Sequence, residues 1–285
     1  MHQTPRALKR WIPQSLKDRF RKSSLYLEDR TEVDNVYHCC THKSASQWMK
    51  ALLNDPITFR HSGLDVFTYQ SEWRDGYDPR PYYERHFSRP FPDQTFASPL
   101  YLHYSCFRQI PKPENHRAFF ILRDPRDVVV SWYFSMKLSH PLIGNVSNIR
   151  QELKDRTKPD GLRYCIKYLS EHGLFDAQRS WVRADDPNTQ VFRYEDLTGD
   201  DQLQAMRSLL VEHCAIPIPD SELRRLLKGH AFSKKADGRE RGEEDERSHQ
   251  RKGVSGDWRN HFDADTRSTF KSVTDDVAVN LGYEV

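Results

Sequence analysis

An apolar run that ends in a charge and a helix start is the feature that most constrains this chain. Residues 118–122 are continuously apolar, as is typical of a strand buried on both faces of a parallel sheet. Arg123 ends the run, and Asp124 and Pro125 follow as a helix N-cap and a first-turn proline, ahead of the mostly apolar residues 128–134. The pattern predicts a buried strand, a charged turn and a buried helix. Ligands of α/β sheets bind at such strand ends, although Arg123 alone is equally compatible with a surface charge.

A second strand, loop and helix occupy residues 36–53. Residues 36–40 are typical of a buried strand, the loop T-H-K-S-A-S-Q-W follows, and residues 49–53 have helical spacing. A short loop of small residues at a helix start presents free backbone N–H groups and the positive end of the helix dipole to an anion. Lys43 adds a mobile positive charge. The loop is not G-x-x-x-x-G-K-[ST], so an ordinary ATP or GTP loop fits poorly, and a plain βα turn is the alternative.

Composition limits the class of protein. The chain has 285 residues, of which 36% are apolar and 30% charged, and its formal net charge is +3. Such a small charge argues against nucleic-acid binding, and no run reaches the roughly 18 apolar residues that a membrane-spanning helix needs. The five cysteines have no C-x-x-C spacing, which is typical of reduced thiols, and we therefore expect a cytoplasmic protein.

The chain divides into a basic arm, residues 1–30, and one domain, residues 31–285. No internal repeat or break in composition divides the longer part. In the arm, an apolar stripe can face away from the lysines and arginines, and it consists of Leu8, Trp11, Ile12, Leu16 and Phe20. An amphipathic segment of this kind can lie on an anionic membrane, while an arm that packs on its own domain is the alternative.

Four motifs together resemble one protein family. The chain has K-S-A-S-Q-W at 43–48, R-D-P-R-D-V-V-V-S at 123–131, Y-E-D at 194–196 and R-K-G-V-S-G-D-W at 251–258. They resemble, in the same order, the K-S-G-T-T-W, R-x-P-x-D-x-x-x-S, Y-E-D and R-K-G-x-x-G-D-W motifs of sulfotransferases that use 3′-phosphoadenosine-5′-phosphosulfate (PAPS). The resemblance implies an α/β fold with a central, mostly parallel sheet flanked by helices, a P-loop-like nucleotide-binding architecture.

The resemblance also implies a role for each matching residue. The first motif would hold the phosphosulfate through Lys43, Ser44, Ala45, Ser46 and Gln47. The remaining nucleotide contacts would come from Trp48, Arg123, Ser131, Tyr194, Arg251, Lys252 and Gly253. Lys43 would also act in catalysis, since charge develops on the bridging oxygen as the sulfuryl group leaves. The co-substrate would be PAPS, the product 3′-phosphoadenosine-5′-phosphate (PAP), and no metal would be required.

The first motif departs from the family at three positions. Ala45 stands at the family's glycine, and Ser46 and Gln47 stand at its threonines. If position 45 needs a positive φ, alanine costs about 1–2 kcal/mol there. Serine keeps a hydroxyl donor, whereas Gln47 keeps hydrogen bonding but not shape, so the sequence predicts a modified cradle.

Sulfotransferases of this family usually have a base that removes the acceptor's proton, often a histidine after the strand that precedes the arginine strand. Residues 95–102 read as that strand, so His103 is the predicted base, with His140 and His249 as alternatives. Residues 67–107 are dense in aromatic side chains that could line an acceptor pocket or, equally, cover the sheet edge.

The sequence therefore predicts a sulfotransferase that moves a sulfuryl group from PAPS to a hydroxyl of a carbohydrate, natural-product alcohol or lipid. Two other classes stay open. A nucleotide-phosphate kinase would need Mg²⁺ and a Walker-type loop, and a non-catalytic, membrane-associated nucleotide-binding protein would not need Lys43 or His103. Variable loops set acceptor specificity, so neither the acceptor nor the oligomeric state follows from the sequence.

Overall fold

The computed structural model describes residues 27–72 and 78–284. Most of the predicted basic arm, residues 1–26, lies outside the described residues, as do Trp73 and Tyr77 of the aromatic-rich segment. The predicted membrane contact of the arm therefore stays a prediction. Within the described residues, no helix has both the length and the apolar character to cross a bilayer.

A five-stranded sheet forms the centre of the fold. Its strands are β1 (Asn35–Cys40), β2 (Asp65–Phe67), β3 (Thr95–Leu100), β4 (His116–Leu122) and β5 (Thr189–Arg193). All neighbouring strands are parallel, in the order β2-β3-β1-β4-β5. Every residue of β1 and β3 is buried, so both faces of the sheet are covered. The predicted α/β fold with a parallel sheet and flanking helices is confirmed.

Helices connect and cover the strands. They are α1 (Ser46–Leu53), α2 (Pro56–Ser62), α3 (Tyr104–Gln109), α4 (Pro125–Phe134), α5 (Val146–Lys154), α6 (Lys158–Glu171), α7 (Leu174–Val182), α8 (Tyr194–Thr198), α9 (Gln202–Arg207), α10 (Asp220–Gly229), α11 (Phe232–Lys235), α12 (Ala264–Thr274) and α13 (Val277–Asn280). Two π-helical turns, at Ser135–Ser139 and Ser208–His213, extend α4 and α9.

Helix α4 begins where the sequence predicts. The Asp124 carboxylate accepts a hydrogen bond from the backbone N–H of Arg126, and Pro125 is the first helical residue. Gly161 of α6 fits closely against this helix, because a Cβ atom there would lie 2.5 Å from the ring of Tyr133. The helix after the charged turn is therefore closely packed against α6.

The strand order defines a crevice between β1 and β4. The chain leaves β1 toward β2 on one side of the sheet and leaves β4 toward β5 on the other. Loops that leave neighbouring strands in opposite directions open a gap at the carboxyl edge, where ligands of such sheets bind. The two loops that meet here are residues 41–45 and 123–124, which are the sequence's two candidate phosphate sites.

The aromatic-rich segment mostly forms core. Phe67 and Phe87 each pack against Phe91, with ring centroids 5.5 and 5.2 Å apart, and Tyr69 packs edge-on against Phe87. Of the described aromatic residues in this segment, Tyr101 lines the large cavity at the sheet's carboxyl edge. Most of these aromatic side chains therefore cover the edge of the sheet and do not line the cavity.

Candidate active site

A cavity of about 410 Å³ lies at the carboxyl edge of β1 and β4 and brings the predicted motifs together. The predicted residues that line it are Lys43, Ala45, Ser46, Gln47, Trp48, Arg123, Ser131, Tyr194, Arg251, Lys252 and Gly253. Ser44 is buried beside them, and its hydroxyl pairs with that of Thr41 at 2.9 Å. The fold thus unites positions more than 200 residues apart in the chain.

The loop between β1 and α1 has an unusual backbone. Lys43 has a φ of 67° and Ala45 a φ of 58°, so left-handed residues stand on both sides of Ser44. Ala45 is also the N-cap of α1 and makes no side-chain cap hydrogen bond. The Tyr101 hydroxyl donates to the Ser46 hydroxyl at 2.7 Å and fixes the first residue of the helix. This conformation leaves the amino end of α1 open to an anion.

Replacing Ala45 with glycine is expected to raise the free energy of unfolding by about 0.5–1 kcal/mol. The substitution removes a left-handed cost of about 1–2 kcal/mol, partly offset by the greater entropy of glycine in the unfolded chain. Urea unfolding of the two proteins measures the change. Ala51→Gly, inside helix α1, is the control and should lower stability by about 1 kcal/mol. Equal destabilisation by both substitutions would contradict the strain at position 45.

Lys43 lies among like charges. Partial burial lowers its pKa, with further lowering by the charges of Arg123 and Arg251, to about 8. Its backbone carbonyl accepts a hydrogen bond from Nη1 of Arg123 at 2.9 Å, which joins the β1 and β4 loops across the crevice. Within the described residues, Lys43 and Arg123 form no ion pair with a carboxylate, and neighbouring cations of this kind favour a ligand with several negative charges.

The Arg123 guanidinium is prepared for such a ligand. It lies over the ring of Tyr194, with 4.5 Å between Cζ and the ring centroid, and its Nε is buried without a hydrogen-bond partner among the described residues. The Arg123 carbonyl accepts from the side-chain amide of Gln178 at 2.9 Å, which fixes the backbone. A buried donor with no partner is costly, so this nitrogen suits a ligand oxygen.

Arg251 and Lys252 are held by carboxylates. Asp257 accepts from Arg251 Nη2 at 2.5 Å and from Lys252 Nζ at 2.7 Å, and Glu244 pairs with Arg251 from the other side. Burial raises the pKa of Asp257, but hydrogen bonds from His261, Lys252 and Arg251 outweigh it and hold that pKa well below its usual value. Glu244, Asp257 and His261 lie close enough together to resemble a metal-ion site. The two carboxylates, however, already form ion pairs with the side chains of Arg251 and Lys252.

The loop that carries these cations is tied to helix α4. The Asp127 carboxylate accepts backbone N–H groups of Gly256 at 2.6 Å and Trp258 at 2.9 Å. Gly253 has a φ of 70°, and a Cβ atom there would lie 2.5 Å from the ring of Phe232. Asp127 thus has a role that sequence reasoning missed, since only the fold brings residue 127 next to residues 256 and 258.

His230 was also missed by sequence reasoning. Trp48 donates its indole N–H to the His230 carbonyl at 3.1 Å, and Nε2 of His230 contacts an Asp55 carboxylate oxygen at 2.9 Å. Because a carboxylate accepts, Nε2 carries a proton, and the buried Nδ1 has no hydrogen-bond partner among the described residues. His230 lies outside every recognisable motif, so the sequence offered no signal for it.

The predicted base does not line the cavity. His103 is the N-cap of α3, and its Nδ1 accepts the backbone N–H of Ser105 at 3.1 Å. Strand β3 ends at Leu100 instead of residue 102, and Tyr101 occupies the cavity wall. Four other histidines line the cavity within the described part of the chain, namely His42, His140, His230 and His249.

A family comparison covers most of the chain. The Sulfotransferase domain family matches residues 34–282. The chain is similar to Sulfotransferase 6B1 of Danio rerio, with 29% identity over 150 residues, and to Sulfotransferase 2B1 of Mus musculus, with 30% identity over 169 residues. These alignments cover 50% and 55% of this chain and 45% and 46% of the relatives. The chain thus spans about half the length of the curated relatives it matches.

Solved structures share the fold. Mouse sulfotransferase SULT7A1 complexed with PAP aligns over 89% of this chain and 90% of its own, with a TM-score of 0.57 and 18% identity. Retinol dehydratase in complex with androsterone and the inactive cofactor PAP aligns over 88% of this chain and 82% of its own, with a TM-score of 0.52 and 18% identity. The similarity extends over the sheet and its flanking helices.

Proposed function

Since the chain belongs to the Sulfotransferase domain family, we propose that it transfers a sulfuryl group from PAPS to an acceptor hydroxyl. The observation that carries the proposal is the meeting of Lys43, Arg123 and Arg251 in one cavity. These three cations come from three separate motifs, and together they match a ligand with phosphate groups at both ends of a ribose.

Unpaired polar atoms in the cavity wall fit the proposed nucleotide. The buried Nε of Arg123 suits an oxygen of the 3′-phosphate, with the Ser131 hydroxyl as a second donor. The buried Nδ1 of His230 has no hydrogen-bond partner among the described residues and belongs to the residue whose carbonyl Trp48 binds, which suits a polar atom of an adenine that stacks on the indole. Tyr194 and Lys252 also line the cavity, in agreement with the nucleotide contacts that the motifs imply.

The chain's own residues would supply the rest of the chemistry. PAPS brings an activated sulfuryl group. Lys43 and the open amino end of α1 hold positive charge where negative charge develops on the leaving phosphate. The left-handed backbone at Lys43 and Ala45 fixes these donors before the ligand arrives, so little reorganisation is needed during the reaction.

For the acceptor we propose a chemical class and not a compound, namely an alcohol that can reach this cavity. Among the solved structures, retinol dehydratase is described with androsterone and with retinol, and that protein shares 18% identity with this chain. We also propose a cytoplasmic location, to which the five cysteines, all buried and without disulfides, offer support. Contact of residues 1–30 with an anionic membrane is a further proposal.

Calorimetric titration of the wild-type protein with PAP, without added metal, tests the function. We expect micromolar binding, because the cations and the unpaired donor of the cavity wall can hold the phosphates of PAP. A parallel titration with ATP and Mg²⁺ should give much weaker binding. Tight, Mg²⁺-dependent ATP binding with no response to PAP would favour the kinase alternative. PAP binding without PAP release from PAPS across a panel of hydroxyl acceptors would favour a non-catalytic nucleotide-binding protein.

A further inference from the structure

We propose that His140, through its Nε2 atom, is the general base that takes the proton from the acceptor hydroxyl. The inference rests on the proposed sulfuryl transfer and names a catalytic residue for it. His140 lines the same cavity as Lys43 and lies just beyond helix α4, at the end of the π-helical turn Ser135–Ser139. The predicted base, His103, lies outside that cavity wall.

The backbone of His140 is fixed on both sides. Its N–H donates to the Ser135 carbonyl at 2.7 Å, and its carbonyl accepts from Nη2 of Arg150 at 2.6 Å. The same arginine donates through Nε to the Met136 carbonyl at 2.9 Å. One guanidinium therefore clamps the π-helical turn to the residue that follows it, and a fixed backbone lets a side chain keep one orientation.

The side-chain contact of His140 selects its tautomer. Nδ1 lies 2.9 Å from the Pro141 carbonyl oxygen, and a carbonyl can only accept a hydrogen bond. Nδ1 therefore carries the proton in the neutral ring, and Nε2 keeps a free lone pair. A neutral imidazole with an unprotonated nitrogen is the form that general-base catalysis needs.

The other histidines are less suited to this role. His230 lies beside Trp48, at the end of the cavity where we propose that the adenine binds. The Tyr82 hydroxyl accepts the backbone N–H of His42 at 2.9 Å and lies 2.5 Å from Nδ1 of the same residue, so its own proton can go to that nitrogen. His42 then presents Nε2–H, a donor. His103 is in the same state, because its Nδ1 accepts a backbone N–H. His249 has an exposed side chain, and no described hydrogen bond orients its ring.

The charges around His140 keep it neutral. Partial burial lowers its pKa from the usual value, the Pro141 carbonyl opposes this, and the positive charges of Lys43 and Arg150 lower it further. His42 and His249 also lie within electrostatic range of His140. At neutral pH the ring is therefore ready to accept a proton, and the same lysine can stabilise the leaving phosphate.

The proposed step is an in-line displacement at sulfur. A lone pair of the acceptor oxygen forms a bond to sulfur while the bond between sulfur and the bridging phosphate oxygen breaks. The acceptor's proton moves to Nε2 of His140, which becomes an imidazolium. The products are the sulfate ester and PAP, and solvent later takes the proton from the ring.

The rate test compares two acceptors at a pH where 4-nitrophenol is ionised and phenol is not. We expect His140→Gln to reduce the rate of PAP release from PAPS with phenol by about 10²–10⁴-fold. With the nitrophenolate, which has no proton to lose, the rate should change by less than about tenfold, and calorimetric PAP affinity should stay at the wild-type value. His86→Gln, at an exposed residue outside the cavity, is the matched control and should match the wild type with both acceptors.

Nuclear magnetic resonance of ¹⁵N-labelled histidines gives a readout that does not depend on the acceptor. The signals absent from His140→Gln identify His140, and we expect a protonated Nδ1 and an unprotonated Nε2 at neutral pH. Three results would overturn the assignment of His140 as the base. They are the opposite tautomer, an equal loss of rate with phenol and with nitrophenolate, and a loss of rate in His103→Gln but not in His140→Gln. Failure of the wild type to bind PAP would instead overturn the proposed function itself.

Discussion

Arg123→Ala is expected to weaken PAP binding by about 2–5 kcal/mol, which is roughly 30- to 4,000-fold in the dissociation constant. The substitution removes the Arg123 guanidinium, which lies over Tyr194 and whose Nε is buried without a hydrogen-bond partner in residues 27–72 and 78–284. A phosphate oxygen placed there would lose a charge-assisted hydrogen bond and remain in partly desolvated surroundings. The same calorimetric titration used for the wild type measures the loss.

Arg117→Ala is the matched control for this prediction. Arg117 lies at the opposite end of strand β4 and donates to the side chain of Asn188 and the backbone carbonyl of His116, away from the cavity. Its removal should leave PAP affinity within about twofold of the wild type. Equal weakening by both variants would mean that strand stability, and not a phosphate contact, explains the effect of Arg123→Ala.

Lys43→Ala is expected to lower kcat by about 10²–10³-fold, the usual cost of removing one donor from developing negative charge. The pH dependence provides a second readout. The pKa of Lys43 is lowered to about 8 by partial burial and by the charges of Arg123 and Arg251. Only the protonated form is positive, so kcat/KM for PAPS, which reports on the free protein, should fall as the pH rises through about 8. The measurement is the profile of kcat/KM against pH.

Two variants sharpen the test of Lys43. Lys43→Arg keeps its charge throughout this range, so its profile should lose the alkaline decline even if the overall rate is lower. Lys50→Ala, in helix α1 but outside the cavity wall, should keep both the rate and the decline. A decline that persists unchanged in Lys43→Arg would assign the titration to another group.

The positions of Lys43 and Arg123, which we propose to contact phosphate, could be predicted because they depend on local patterns. A buried strand followed by a charged or small-residue loop and a helix start places Lys43 and Arg123 at the carboxyl edge of a sheet. The resemblance added residues 251–253, which no local pattern connects with the other two sites. Glycine stands at position 45 in the family motif, so a positive φ could be anticipated there, and Ala45 does have a left-handed backbone.

Which histidine reaches the cavity could not be predicted. His103 does not directly follow its strand, because β3 ends at Leu100, and its Nδ1 caps helix α3. His140 is one of the alternative bases that the sequence suggests, but the π-helical turn before it has no signal in the sequence pattern. Strand β2 was missed because it has only three residues, none of them fully buried.

The ion pairs of Arg251 and Lys252 have a consequence for nucleotide entry. Both cations already have carboxylate partners, namely the buried Asp257 and the more exposed Glu244. A phosphate that binds at these two cations would therefore have to compete with the carboxylate of Glu244. Its affinity would be the difference in free energy between the new ion pairs and the existing ones. A ligand with several negative charges would then be favoured over a single carboxylate or chloride.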